Sequence, residues 1–314
     1  MYLFTTYAER AAVRSRRLLT ATPLLALTAA VGVAFSGASA ASAAAANARP
    51  AAMHSGTVDV IAAGSLDTVL SKKIDSAFHR ATGYTVSLTT GGSGSDAASI
   101  KNGIYAEDVF ISASPADDQL LMGAANGNWV NWYAAFAKSP DVLAYNPKSK
   151  FAHDLKTMPW YKVITMKGFR LGRTDPSQDP GGVLAKAELL QAAKQHPQYA
   201  KALTQLATES SDEYPEDTEQ ANIENGQLDA SFMYEADANS QQSPSVPLGT
   251  VTRYGNYTVT MLNKAQHTAA AEAFIEFLAG KSGQALMQQY HFGIVSPAAI
   301  TGSGIPAPLK NALK

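Results

Sequence analysis

The sequence contains no cysteine. Disulfides, thiolate metal centres and thiol nucleophiles are therefore excluded, and a chain of 314 residues must rely on its packed core. Anchoring through an acylated cysteine is excluded as well. Neither sign of charge dominates, with 25 basic against 26 acidic residues. G-x-G-x-x-G is absent, and Gly91-Gly92-Ser93-Gly94-Ser95 is neither G-x-S-x-G nor a P-loop, because no Lys-Ser/Thr follows its glycines. The dinucleotide, α/β-hydrolase and P-loop signatures are thus missing. The six histidines (His54, His79, His153, His196, His267, His291) are scattered, and none pairs at metal-ligand spacing. No repeat occurs at the periods of solenoids or propellers.

What is present begins with a distinctive first fifty residues. Arg10, Arg14, Arg16 and Arg17 precede an apolar run from Leu18 to Phe35, and Ala38-Ser39-Ala40 and Ala41-Ser42-Ala43 each offer an A-x-A cleavage site. That is the layout of a secretory signal peptide, expected over residues 1–43; a membrane anchor is the alternative for a run of this length. Ser15-Arg16-Arg17-Leu18-Leu19 resembles a twin-arginine export signal. The alanine-rich stretch that follows reads as a disordered linker, residues 44–56. An exported protein, periplasmic or extracellular after cleavage, is expected. Removing residues 1–49 takes away five arginines and Glu9, leaving 20 basic and 25 acidic residues, net −5. Such a product suits neither nucleic acid nor an anionic membrane surface.

Beyond the leader, short apolar strands alternate with helical patterns. Val58–Ala63, Tyr84–Leu88 and Asp108–Ser112 read as strands, separated by a helix with apolar Leu66, Val69, Leu70, Ile74 and Phe78 and by a short helix over Ala97–Asn102. Pro115–Ala125 reads as a third helix, and three strand–helix alternations argue for parallel βαβ units in an α/β fold. Further on, Val142–Tyr145, Phe169–Arg173, Gly226–Tyr234 and Tyr257–Leu262 read as strands. Val183–Gln195, Glu219–Asn225, Ala269–Ala279 and Ser282–Tyr290 read as helices.

Three places combine an apolar strand, a tight polar turn and a helix start: Gly64-Ser65, Gly92-Ser93-Gly94-Ser95 and Asp179-Pro180-Gly181-Gly182. Free backbone N–H groups and the positive end of the helix dipole favour an anion there, and such turns gather at the carboxyl ends of parallel strands. Ser65, Ser93 or Ser95, and Asp179 could equally be plain N-caps, with Pro180 at the first helical position. The acidic run Asp212-Glu213 and Glu216-Asp217-Thr218-Glu219 has a solvated-loop reading beside a functional one.

Ala62-Ala63-Gly64-Ser65-Leu66, the glycine-serine loop and Glu107–Ala113 together resemble the molybdate-binding proteins of ABC importers. Arg173-Thr174-Asp175-Pro176-Ser177-Gln178-Asp179-Pro180 is similar to the S-D-P-N-x-D-P block of their tungstate branch. Glu224–Tyr234 resembles that branch's E-x-G-x-L-D-Y-x-F-x-Y segment, and Ala273–Leu278 with Gly283-Gln284 resembles its ending. The resemblance implies a two-lobed type II periplasmic-binding-protein fold with two hinge crossovers, near Ser139-Pro140 and Arg253–Tyr257. One lobe would comprise residues 57–138 with 251–314, the other residues 139–250. It implies Ser65, Ser93, Asp179, Glu216 and Tyr234 as ligand-binding residues, with Gly64, Ser95 and Pro180 as secondary candidates. Asp179 and Glu216 would approach the metal centre of the oxyanion. The implied partners are tungstate or molybdate and the permease of an ABC importer. No cofactor and no catalytic residue is implied, and the chain is expected to be monomeric. A receptor for another small anion such as phosphate, or a secreted hydrolase using Ser65 or Ser93, are the competing readings. The family's D-P-C-G-Y becomes Asp179-Pro180-Gly181-Gly182-Val183 here, and its Y-K-S becomes Tyr234-Glu235-Ala236, so the surroundings of the site differ.

Overall fold

The computed structural model describes residues 54–314. The expected signal peptide and residues 44–53 of the expected linker lie outside the described residues. The last three linker residues are held in place: the His54 N–H donates to the Thr82 carbonyl at 3.0 Å, and its ring stacks on Tyr84 at 5.0 Å between centroids.

Strand β1 (Thr57–Ala63) pairs in parallel with β2 (Thr85–Gly91) and β3 (Val109–Ser112). Parallel strands covered on both faces carry apolar side chains on both. Val58, Val60 and Ala62 accordingly join a core with Phe78, Phe274 and Leu278, while Ile61 points to a second one with Ile100, Phe110 and Leu121. The helical run after β1 passes through a π turn, Leu70–Ile74, into the helix Asp75–Thr82. Leu66, Leu70, Ile74 and Phe78 are four residues apart, a spacing that drifts around a regular α-helix. The wider π turn keeps all four buried on one face. Gly83, at φ 86°, ends the helix in the left-handed conformation that glycine adopts without strain.

The 14-residue strand β4 (Trp132–Tyr145) is the spine of the molecule. Its first part pairs antiparallel with β9 (Tyr254–Met261), and its last five residues pair with β7 (Ala230–Tyr234). Strand β5 (Leu171–Thr174) lies parallel to β7 and to the short β6 (Glu213–Tyr214). β8 (Ser245–Pro247) and β10 (Gly293–Gly302) also pair with β4. The path β2-β1-β3-β9-β4-β7-β5-β6 therefore joins two α/β halves through one shared strand. The second half has its own core, built on Leu143, Trp160, Leu171, Leu189, Leu203 and Phe232. The chain passes between halves within β4, where Pro140 faces Tyr254, and the Asp141 N–H donates to the Arg253 carbonyl at 2.9 Å.

At the far end of the first half, Asp108 ties β1, β3 and the helix Thr268–Ala279 together. Its buried carboxylate accepts from the backbone N–H groups of Asp59, Gln266 and His267 and from His267 Nδ1, at 2.7–2.9 Å. Asp59, Asp108 and His267 are the one group with metal-ligand spacing among the described residues. These hydrogen bonds already use both oxygens of Asp108 and the Nδ1 of His267, so the cluster reads as a helix anchor. Among the described residues no helix is long and apolar enough to cross a membrane.

Candidate functional site

The carboxyl ends of β1, β2, β5 and β7 open on a cavity of about 670 Å³ lined by residues of both halves, among them Gly64, Thr90, Ser95, Asp179, Glu216 and Asp237. Parallel strands place helix starts at this edge, where open α/β sheets bind ligands.

Asp179 is the N-cap of the helix Pro180–Gln195, with Pro180 at its first position. Its Oδ1 accepts from Gly181 N–H at 2.8 Å and from Thr174 Oγ1 at 2.7 Å. Its Oδ2 is buried and makes no hydrogen bond to the protein. Capping and ligand-facing roles are thus divided between the two oxygens of one carboxylate. Glu216 reaches across to the turn after β1: Ser65 N–H donates to its Oε1 at 2.9 Å, and its Oε2 is buried without a partner. Gly64 makes that approach possible, because a Cβ there would stand 2.4 Å from Glu216 Oε2. Ser65 is 4% exposed, and its hydroxyl is paired with Tyr257 Oη at 2.9 Å. Tyr234, the last residue of β7, is 4% exposed and its hydroxyl likewise has no partner in the protein. A Cβ on Gly181 would lie 2.8 Å from Asp179 Oδ1 and 3.8 Å from Tyr234 Oη, so the two side chains meet around that glycine.

Ser93 is fully buried and its Oγ accepts from Ala113 N–H at 3.0 Å, joining the helix Ser93–Lys101 to the end of β3. Its hydroxyl proton is left to donate elsewhere. Ser95 Oγ donates back to Gly92 O at 2.7 Å, which commits that side chain to its own helix start.

The electrostatics are one-sided. Asp67, Asp175, Asp179, Glu213, Glu216 and Asp237 line the cavity, and among the described residues no Lys, Arg or His does. Arg173, buried beside Thr174, is committed to Glu213 at 2.8 Å and to the Glu209 carbonyl at 3.1 Å. Burial, reinforced by the charges of Asp179, Asp237 and Glu219, pushes Glu216 well above the usual carboxylate range. Burial also raises Asp179 against the hydrogen bonds from Thr174 and Gly181. Asp237 is pushed up to about 7, mainly by burial and further by Asp179 and Asp67. Behind the cavity Asp96 is raised to about 7 by burial and by Glu107, Asp179 and Asp117. A site of this kind cannot hold a dianion by ion pairing. It offers hydrogen-bond donors, and carboxylate oxygens suited to a hard, electrophilic centre.

The structure thus brings Ser65, Asp179, Glu216 and Tyr234 to one region, with Ser93 behind the glycine-serine turn. Sequence reasoning did not single out Tyr257, Thr174 or Asp237. Thr174 lies inside the Arg173–Pro180 block and Asp237 just after Tyr234, but only the fold turns them towards the same space. Among the described residues no histidine lines the cavity, and the Oγ partners of Ser65 and Ser93 are Tyr257 and the Ala113 N–H, so the hydrolase reading lacks its base there.

Two α/β halves joined through a shared strand and enclosing a polar cavity define the type II periplasmic-binding-protein fold. The chain belongs to the bacterial extracellular solute-binding proteins, whose family profile matches residues 58–293. The molybdate/tungstate-binding protein WtpA of Thermococcus kodakarensis is 24% identical over 245 residues, covering 62% of this chain and 69% of the relative. WtpA of Pyrococcus abyssi is 23% identical over 245 residues, covering 62% and 71%. Among solved structures, the periplasmic molybdate-binding protein of Azotobacter vinelandii aligns with a TM-score of 0.58 at 17% identity, over 76% of this chain and all of its own. The periplasmic binding protein AfuA of Actinobacillus pleuropneumoniae, with fructose-6-phosphate bound, aligns at 0.59 and 16% identity, over 76% and 85%. At such identities the structures speak for the fold alone.

Proposed function

We propose that this chain, once exported, captures tungstate or molybdate between two lobes and delivers it to the permease of an ABC importer. One lobe comprises residues 57–138 with 251–314, the other residues 139–250. The observation that carries the reading is that, of the eleven buried side-chain polar atoms without a hydrogen-bond partner among the described residues, three belong to residues gathered around the Gly64 and Gly181 turns. Asp179 Oδ2, Glu216 Oε2 and Tyr234 Oη come from three separate elements of the second lobe. Native structures satisfy nearly all such atoms, so an orphaned set at a cleft points to a ligand.

The chemistry of the donors narrows that ligand. Ionised, these two carboxylates repel a bare sulfate; protonated, as burial favours in the free protein, they can only donate hydrogen bonds to it. They can instead coordinate a hard metal centre that expands its coordination shell, as sulfur cannot. Binding would also relieve the burial that holds both groups above their ordinary range, because a coordinated carboxylate is stabilised as the anion. Ser65 and Ser93 would donate to the oxyanion from the first lobe, and Tyr234 from the second. The WtpA relatives, named for these two anions, support the same class of ligand. X-ray absorption at the tungsten edge of the loaded protein tests the coordination directly. Six oxygen neighbours are expected, falling to four in Asp179→Ala/Glu216→Ala. Four neighbours in the wild type would remove the role given to the carboxylates.

A further inference from the structure

The glycine-serine turn at the start of the helix Ser93–Lys101 has a property that anion binding does not explain. Gly92 sits at φ −66° and ψ 122°, and neither Gly92 nor Gly94 is among the residues with positive φ. Any residue could adopt these conformations, so the backbone does not demand glycine. What demands it is the other half of the molecule. A Cβ on Gly92 would lie 2.8 Å from the Gln178 carbonyl oxygen, and one on Gly94 would lie 2.9 Å from it and 3.2 Å from its carbon. Ser95 N–H donates to that same oxygen at 3.0 Å.

The Gln178 carbonyl is itself held firmly. Asp175 Oδ1 accepts from the N–H and the hydroxyl of Ser177, both at 2.8 Å, and its Oδ2 accepts from Gln178 Nε2 at 2.9 Å. The N–H groups of Gln178 and Asp179 both donate to the Asp175 carbonyl. The turn 175–179 is thus a rigid bracket, and it ends on the capping residue of the candidate site. Gln178 and Asp179 also line both the 670 Å³ cavity and a second cavity of about 340 Å³ on the opposite side of the turn. The contact between Gln178 and the glycines forms the wall that separates the two.

We propose that Gly92, Gly94 and Ser95 N–H form a closure latch that receives the Gln178 carbonyl, and that they set ligand affinity by letting the lobes close fully. This rests on the two-lobed binding reading above, and it gives the two glycines a positioning role. The Asp175 bracket is the other half of the latch. Closure is one side of a two-state equilibrium, and apparent affinity falls in proportion to the closed fraction.

The test uses Gly92→Ala, Gly94→Ala and the double variant, with Ser99→Ala on the same helix as control. Alanine is the better helix former, so Gly94→Ala leaves the thermal midpoint of the ligand-free protein unchanged or raises it. Its tungstate affinity, measured by calorimetry, falls by about tenfold or more, as an incompletely populated closed state requires. Small-angle scattering then finds a larger radius of gyration in tungstate for the variant than for the wild type. Asp175→Ala, which loosens the bracket from the other side, moves affinity in the same direction by less. Affinities within about twofold of the wild type in the double variant would overturn the latch, on the same proportionality. So would a loss of affinity matched by a loss of ligand-free stability, which marks plain disruption. If the wild type binds no oxyanion, the proposed ligand falls while the latch is still read by scattering. The double variant must then be less compact than the wild type without ligand, and equal radii overturn it.

Discussion

Replacing Tyr234 by phenylalanine should make the ligand-free protein more stable and the receptor weaker. The ring is packed on all sides: a Cβ on Gly255 would stand 2.5 Å from its Cε1, and Tyr257 lies edge-on at 5.7 Å between centroids. Phenylalanine keeps that packing and deletes only the hydroxyl, which is buried without a protein partner. Leaving a buried donor unpaired costs about 1–3 kcal/mol. The variant should therefore gain stability of that order when free, and for a domain of this size about 2–4 °C in midpoint per kcal/mol. The bound state loses a hydrogen bond to a charged ligand, worth about 1.5–3 kcal/mol. That is roughly a 10- to 150-fold rise in Kd. Scanning calorimetry on the free protein and titration with tungstate read the two effects separately. A variant that melts lower and binds equally well would refute the reasoning, because the hydroxyl would then be structural.

Further outcomes follow from the same geometry. Asp179→Ala and Glu216→Ala weaken tungstate binding far more than Asp175→Ala, as titration of the three variants will measure; equal small losses would reduce the first two to capping and surface roles. Asp237 holds its proton up to about pH 7, whereas an unfolded chain releases it in the ordinary carboxylate range. Stability of the free protein therefore falls as pH rises through that window, and oxyanion affinity falls with it as the cavity gains charge. Asp237→Asn removes its share of both pH dependences, while Asp96, raised to the same range, keeps part of the stability slope. His267 is raised by its hydrogen bond to Asp108 and by the charges of Asp108 and Asp59. Its stabilising contribution is complete below the ordinary histidine range and is lost as pH rises through the raised value, so the difference in melting temperature between wild type and His267→Ala shrinks with pH.

Where the sequence was legible, a local rule and the tertiary fold agreed. Val60–Ala63 and Val109–Ile111 are buried on both faces, and a short apolar run says so directly. Asp179-Pro180 was legible because an N-cap followed by proline has few other uses. The glycine-serine stretch reads as a loop, yet Ser93 already belongs to the helix Ser93–Lys101. Its glycines answer to a carbonyl more than eighty residues away, which no window can contain. Most of β4 was invisible for a different reason. Trp132–Lys138 has no clean alternation, a bulge interrupts the register between Ala135 and Ala137, and Pro140 reads as a break. That proline is tolerated where the strand passes from one half to the other. β10 was missed because its ten residues are largely exposed and Pro297 interrupts them. The carboxylates around the cavity are the deepest case. Asp96, Asp179, Glu216 and Asp237 lie far apart in sequence, and their raised proton affinities come from shared burial, a property of the assembled fold.

Calorimetric titration of the mature protein with tungstate, molybdate, sulfate and phosphate tests the central claim most directly. Saturable one-to-one heat with tungstate or molybdate is expected, with sulfate silent and phosphate weaker than either. No heat from any of the four on verified folded protein, or a preference for sulfate, would contradict an oxyanion receptor built on Asp179 and Glu216.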